Sequence, residues 1–306
     1  SPRRPGAEFL GKPPALVLTH DVDYLPSPRN RGLPRLARAL VRQLMARRRP
    51  LDAARIAVAA ARALPRRLPY FALPRIAAEE EARGARSSFQ VTVARRHRVD
   101  PPYHFRSPPI AGALRELHAA GWEICLHGSY TASRTPGMLA QERAALEEML
   151  GAPVRGHRQH YLNFHPAQLW AEVEAAGLKY DLSVGYNDRS GPRAGTVFPY
   201  RPWDVLRRRP CALWEIPFVL MDTTLATTYR FSERQAWEHA RQVLEASRGC
   251  VAVIWHQEQL GGLLDPGFET VYYRLLDWAR ANGFRLTTGG ALLAELDAAW
   301  RETLDG

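Results

Sequence analysis

Short β-rich runs, most of them followed by a segment of helical periodicity, constrain this 306-residue chain more than any other feature. Such runs occur at Ala15–Asp21, Ser87–Val93, Glu123–His127, Val154–Arg158, Tyr180–Val184, Ala212–Phe218, Val251–His256 and Arg285–Thr288. Between them, Ile110–Ala120, Pro136–Leu150, Pro166–Ala176, Ser232–Ala246 and Gly267–Ala281 carry helical spacing, with Pro or Ser at several starts and Gly after several ends. The alternation predicts parallel β/α units. Seven or eight of them would close an α/β barrel, with its chemistry at the C-terminal ends of the strands. The length suits one domain over 1–306, and no internal repeat or low-complexity linker divides it.

One segment breaks the rhythm. The net charge of +11 is concentrated between Tyr24 and Arg75, where 13 arginines face the single acid Asp52, and the remainder carries 29 basic and 30 acidic residues. Leu33, Leu36, Leu40, Val41, Leu44 and Met45 share one helical face while Arg35, Arg38 and Arg42 point elsewhere, and an Ala-rich helix is expected from Asp52 to Leu64. A basic helical insertion over about 30–70 is therefore predicted. It either packs on the barrel with a solvated arginine face or makes peripheral contact with an anionic membrane or an acidic glycan. No aromatic-basic interleaving accompanies the charge, so nucleic acid is not the expected partner. Cys125, Cys211 and Cys250 form no C-x-x-C pair and are odd in number, which favours a reducing compartment. No run reaches the roughly 20 apolar residues of a membrane span, and Ser1-Pro-Arg-Arg-Pro lacks a signal-peptide pattern. The expected location is cytoplasmic, with membrane association through the insertion as an option.

The strand ends carry the chemistry. Thr19-His20-Asp21-Val22-Asp23 sets two carboxylates two residues apart, and like charges this close call for a cation or a shared proton. Glu123–Leu126 ends in His127, and imidazole with carboxylate suits zinc and similar divalent ions. The next run leads into His157-Arg158-Gln159-His160-Tyr161, where an arginine could hold a carboxylate by two hydrogen bonds. Val251–Trp255 delivers His256. Arg193 and Asp222, in loops after predicted strands, are candidates for substrate binding or for a salt bridge, and Glu258, two residues beyond His256, reads as a solvated loop acid or as a residue that tunes it.

This arrangement resembles the polysaccharide deacetylase family, the NodB-like domain of carbohydrate esterase family four, from about Ala15 to Leu296. The resemblance implies a distorted (β/α) barrel. Thr19-His20-Asp21 and the following Asp23 are similar to the family's T-F-D-D motif, which would make Asp21 the general base and Asp23 a metal ligand. The family's H-S/T-x-x-H motif is matched only at His127, because Thr131 stands where a second histidine is usual. Arg158-Gln159-His160-Tyr161 looks like the motif in which an arginine orients the base and the backbone N–H of the aromatic residue helps stabilise an oxyanion. By the same resemblance Asp181, in Tyr180-Asp181-Leu182-Ser183, would support the acid histidine, and Ile254-Trp255-His256 would supply that acid as His256. The stretch from Arg158 to Leu162, with Tyr180-Asp181, Arg193-Ala194-Gly195 and Pro217–Asp222, also resembles a branch associated with surface-polysaccharide synthesis.

These residues together predict a hydrolase that uses one divalent ion, zinc by preference, to remove an N-acetyl or N-formyl group from a sugar or glycan precursor. With Thr131 in place of a histidine, a third protein ligand is needed, and His160 is the choice, the alternative being that it binds substrate or packs. Two rivals stand beside this reading: an amidohydrolase on a small non-glycan amide, and a catalytically inactive glycan-binding module.

Overall fold

The computed structural model describes residues 12–23, 40–41, 44–45, 50–63, 72–260 and 267–305. At its centre is strand β1, Ala15–Val22, whose eight residues are all buried. It pairs in parallel with β10, Cys250–Ile254, on one side. On the other side its second half pairs with β2, Ser88–Val91, and its start with β11, Arg285–Thr287. From β2 the sheet continues in parallel through β3, Glu123–Gly128, β4, Gly156–Gln159, and β5, Tyr180–Asp181, to β8, Trp214–Glu215. At its opposite edge, β10 pairs with β9, Phe218–Met221. The edge strands β8 and β9 belong to one extended run, 214–221, which changes partner at Pro217. There the Ile216 N–H still reaches the Asp181 carbonyl, while the Pro217 carbonyl accepts from Ala252. The curled parallel sheet is thus a distorted (β/α) barrel, as expected from the alternation. The run read as Ala212–Phe218 is two strands because proline cannot donate to a ladder.

Side-chain alternation sorts each strand into two faces. Leu16, Leu18, Phe89, Ile124, Val251 and Val253 meet the surrounding helices. Ala15, Val17, Cys125, Tyr180, Cys250 and Ala252 meet one another inside the barrel, together with Leu292, Leu293 and Leu296 of the last helix. That helix, α8 (Gly289–Asp305), starts against the first residues of β2 and β3, where Gly289 N–H donates to Ser88 and Gly290 N–H to Glu123. It plugs the N-terminal mouth, so the open end is the one to which the strand C-termini point.

The flanking helices match the sequence pattern: α3 (Pro108–Ala119), α4 (Met138–Leu150), α5 (Pro166–Ala175), α6 (Glu233–Ala246) and α7 (Phe268–Ala281). Helices α2 (Leu73–Glu81) and α8 go beyond that pattern, as does the hairpin of β6 (Trp203–Asp204) and β7 (Arg209–Pro210). Of the basic insertion, helix α1 (Pro50–Ala63) is described and coincides with the expected Ala-rich helix, with Ala53 and Ile56 buried. The amphipathic helix expected from Leu33 to Met45 lies largely outside the described residues. Among the described residues no helix is long and apolar enough to cross a membrane.

Beneath β1, Glu80 of α2 is fully buried and accepts from Ser87, Trp122 and Tyr272, and its carboxylate meets His20 Nε2 at 2.8 Å. His20 Nδ1 donates to the Trp255 carbonyl at 2.8 Å. One buried carboxylate therefore ties together the strands that end in Asp21 and His256. Losing it would take a bond from four buried polar groups and leave Ser87 and Trp122 without their partner, each at a cost of about 1–3 kcal/mol.

Candidate active site

The interior face of each strand turns from apolar to polar at its C-terminal end. On β1 the series Ala15, Val17, Thr19 ends in Asp21; on β3, Cys125 leads to His127; on β10, Cys250, Ala252 and Ile254 lead to His256. On β4 the same face carries Arg158, which is wholly buried. Arg158 Nη1 donates to Asp21 Oδ1 at 2.5 Å and its Nε to the Leu182 carbonyl at 3.0 Å. Burial alone would push the Asp21 carboxyl up. The charge of Arg158 above all, with that of His256, outweighs it and holds the group below its usual range, as an ionised carboxylate.

Asp23, His127 and His160 offer one ligand atom each within 4.8 Å of one another. His127 Nε2 stands 3.6 Å from Asp23 Oδ1 and 3.7 Å from Asp21 Oδ2, and His160 Nε2 stands 3.7 Å from Asp23 Oδ2. These separations are too long for hydrogen bonds. Two atoms each about 2.0–2.1 Å from a tetrahedral ion would lie about 3.4 Å apart, close to what is seen. Asp23 Oδ1 is buried with no hydrogen-bond partner among the described residues, a costly arrangement unless something cationic meets it. The donor set of one carboxylate and two imidazoles therefore fits a divalent ion.

Both imidazoles are held by their other nitrogen. His127 Nδ1 donates to the Arg158 carbonyl at 2.9 Å, which leaves the Nε2 lone pair facing the cluster. Burial, more than offsetting the pull of Asp21, lowers its pKa to about 4, so the ring is neutral as a ligand must be. The next residue has to be Gly128, since a Cβ there would meet His157 Nε2 at 2.6 Å and Leu139 at 2.8 Å. His160 Nδ1 lies 3.2 Å from Asp100 Oδ1. Asp100 is itself fixed by the N–H groups of Arg96, His97 and Tyr130 at 2.7 to 2.9 Å. Burial would lower the His160 pKa, but Asp100 and Asp23 carry it up to about 9 when no cation competes. No sequence motif points to Asp100, whose link to His160 spans 60 residues. Thr131, where the second histidine is usual, instead accepts with its carbonyl from the Arg134 N–H and the Thr135 hydroxyl in a turn away from the cluster.

His256 departs from expectation in its partner. Asp222 Oδ1 lies 2.6 Å from His256 Nδ1, and Asp222 Oδ2 accepts from the His256 N–H at 2.8 Å. Burial would depress this imidazole, yet the Asp222 charge and hydrogen bond hold it well above the usual histidine range, so the ring is protonated. Its Nε2 is 3.9 Å from Asp23 Oδ2. Asp222, a candidate for substrate binding or for a salt bridge, is the carboxylate that pairs with His256. Asp181, expected in that role, bonds His157 Nδ1 at 2.6 Å instead. The reason is parity: Tyr180 and Leu182 occupy the barrel interior, so Asp181 between them faces the helices, where Glu215 and Ser183 also meet it.

Asp21, Asp23, His127, His160, Tyr161, His256 and Glu258 line one cavity of about 400 Å³, together with Asn187, Met221 and a threonine rim. Tyr161 is 62% exposed and sits with Leu162 in the left-handed region, at φ 58° and 51°, a conformation that costs about 1–2 kcal/mol per residue and concentrates at functional turns. Glu258 is buried rather than solvated, and its charge adds to the raised pKa of His256. Arg193 does not line this cavity. It lines a neighbouring one.

No family model and no curated protein matches the sequence. The fold does find matches. A protein from Mycobacterium smegmatis described as a polysaccharide deacetylase shares it with a TM-score of 0.60 at 19% identity, over 97% of this chain and 95% of its own. One from Pseudomonas aeruginosa PAO1, described likewise, gives 0.56 at 13% identity over 96% and 97%. The Puue allantoinase gives 0.56 at 14% identity over 97% and 98%. At these identities the likeness is one of fold.

Proposed function

We propose that this chain, which has the fold of the polysaccharide deacetylases, is a metal-dependent hydrolase that removes an N-acyl group, acetyl or formyl, from a sugar or glycan precursor. The observation that carries the reading is the convergence on one cavity of Asp23, His127 and His160, flanked by the Asp21–Arg158 pair and the His256–Asp222 pair. A divalent ion held by the first three, zinc by its nitrogen and oxygen donors, would polarise the acyl carbonyl and ease deprotonation of water. Asp21, ionised and aimed by Arg158, takes the proton of the attacking water. The backbone N–H of Tyr161 donates to the developing oxyanion. His256, kept protonated by Asp222, gives its proton to the departing amine.

Residues 1–306 act as one domain in this reading. A place in surface-polysaccharide synthesis, a cytoplasmic location and contact of the basic insertion with an anionic membrane or acidic glycan belong to it on sequence grounds. The shared fold with an allantoinase keeps a small-amide substrate as the rival.

The purified protein is expected to bind about one divalent ion per chain and to release acetate or formate from an N-acyl sugar, but not to open allantoin. Metal analysis of Asp23→Ala and His127→Ala decides the site: each should lose most of the ion, and full retention by both would mean the ligands are misassigned. A folded, metal-loaded protein that turns over no N-acyl sugar would make the inactive glycan-binding module the better reading.

Replacing His256 with Ala should leave metal content intact and lower amide hydrolysis by about 10²–10⁴-fold. An activated ester, whose leaving group needs no proton, should suffer far less. Asp222→Asn should show the same bias more weakly, because the ring stays but its orientation and charge support go. Equal losses on both substrates would remove the proton-donor role.

A further inference from the structure

A second cavity, of about 530 Å³, is lined by Phe164, Trp170, Val184, Arg193, Tyr200 and Arg201 among others, with no carboxylate in its wall. It shares two chain segments with the first. The turn that presents Tyr161 and Leu162 to the Asp21 cavity continues to Phe164 here, and the loop that presents Asn187 there begins at Val184 here. The two cavities are therefore built on the same two chain segments.

Two arginines, Arg193 and Arg201, line this second cavity. Arg189, Arg207 and Arg209 are paired with Asp188, Asp204 and Glu174. Arg193 has none within 4 Å among the described residues. Its Nη1 donates to the Gly185 carbonyl at 3.3 Å, and its guanidinium lies 5.5 Å from the ring centre of Phe164 and 6.0 Å from that of Tyr186. Arg201 is held between Trp214 and Trp300, at 4.5 and 5.0 Å, with Asp297 no nearer than 3.8 Å. Aromatic faces beside a guanidinium that no carboxylate touches suit a pyranose ring that carries a carboxylate: the ring stacks and the planar fork takes the acid group.

We propose that this cavity is a subsite for an acidic, uronate-type sugar next to the N-acyl sugar in the substrate, with Arg193 as its selecting residue. The proposal rests on the N-acyl hydrolase reading for its substrate but not for its binding test. The metal-loaded full-length protein would be given two oligosaccharides of equal length, one of N-acetylglucosamine alone and one alternating N-acetylglucosamine with glucuronic acid. The wild type should prefer the acidic one in kcat/KM, and Arg193→Gln should cut that preference about tenfold, whereas Arg189→Gln should not change it. Calorimetry of the acidic oligosaccharide separates the two readings. If the wild type hydrolyses neither compound but binds the acidic one about tenfold more tightly than Arg193→Gln does, the function fails and the subsite stands. Equal binding by wild type and Arg193→Gln, or tighter binding of a phosphorylated than of the uronate oligosaccharide, would overturn the subsite as assigned.

Discussion

Replacing Asp21 with Asn should lower turnover of an N-acyl sugar by about 10²–10⁴-fold while leaving the metal content close to that of the wild type. The amide keeps the shape of the side chain and an oxygen for Arg158, but it cannot accept the proton of the attacking water. Metal is retained because Asp21 is not in the Asp23, His127 and His160 group. The substitution carries a second cost that has to be measured apart from catalysis. Arg158 is wholly buried and Asp21 is its only carboxylate partner among the described residues, so the variant buries a charge without its counterion. Breaking such a pair costs on the order of 3–5 kcal/mol. Thermal unfolding should therefore shift downward, and rates should be read well below the variant's midpoint, where the folded fraction is complete. Turnover within a few-fold of wild type by folded, metal-loaded protein would remove Asp21 as the base. Lost metal would instead make it a ligand.

Whether a residue of this site is legible in the sequence depends on how it is placed. Where a strand runs regularly to its end, alternation alone sends Asp21, His127, Arg158 and His256 to the interior, and the reading of those strand ends needs no tertiary information. The same rule, applied to Tyr180-Asp181-Leu182, points Asp181 away from the interior, against the likeness to a family motif. The pairing of Asp222 with His256 escapes for a different reason. The register of β9 against β10 slips between Phe218 and Leu220, a bulge that re-aims the residues after it, and bulges leave no dependable mark in a single sequence. Asp100 and Glu80 are fixed by contacts 60 residues away, with His160 and His20, and local pattern is silent on such pairs. The β8–β9 break at Pro217 is readable from the proline.

His160→Ala should weaken zinc binding by more than the 10–100-fold that loss of an outer hydrogen-bond partner costs, because it takes away a ligand itself. The family's usual second histidine would come four residues after His127, and there the chain has Thr131, whose carbonyl closes a local turn. His160 approaches the same cluster from the end of β4, and its ring edge meets His127, with centroids 4.9 Å apart. Asp100 holds the ring in that pose while three backbone N–H groups hold Asp100. Asp100→Asn keeps the imidazole but weakens its orientation and basicity, so its zinc affinity should fall by about 10–100-fold, between the values for His160→Ala and the wild type. Thr131→Ala should sit with the wild type. Competition against a chelator gives all three affinities on one scale, and circular dichroism checks that the 96–100 turn has not unravelled the fold. The order is what discriminates. A ligand held by Asp100 produces a graded series, whereas a His160 that only binds substrate would leave zinc affinity flat across the three variants and appear as a raised KM alone.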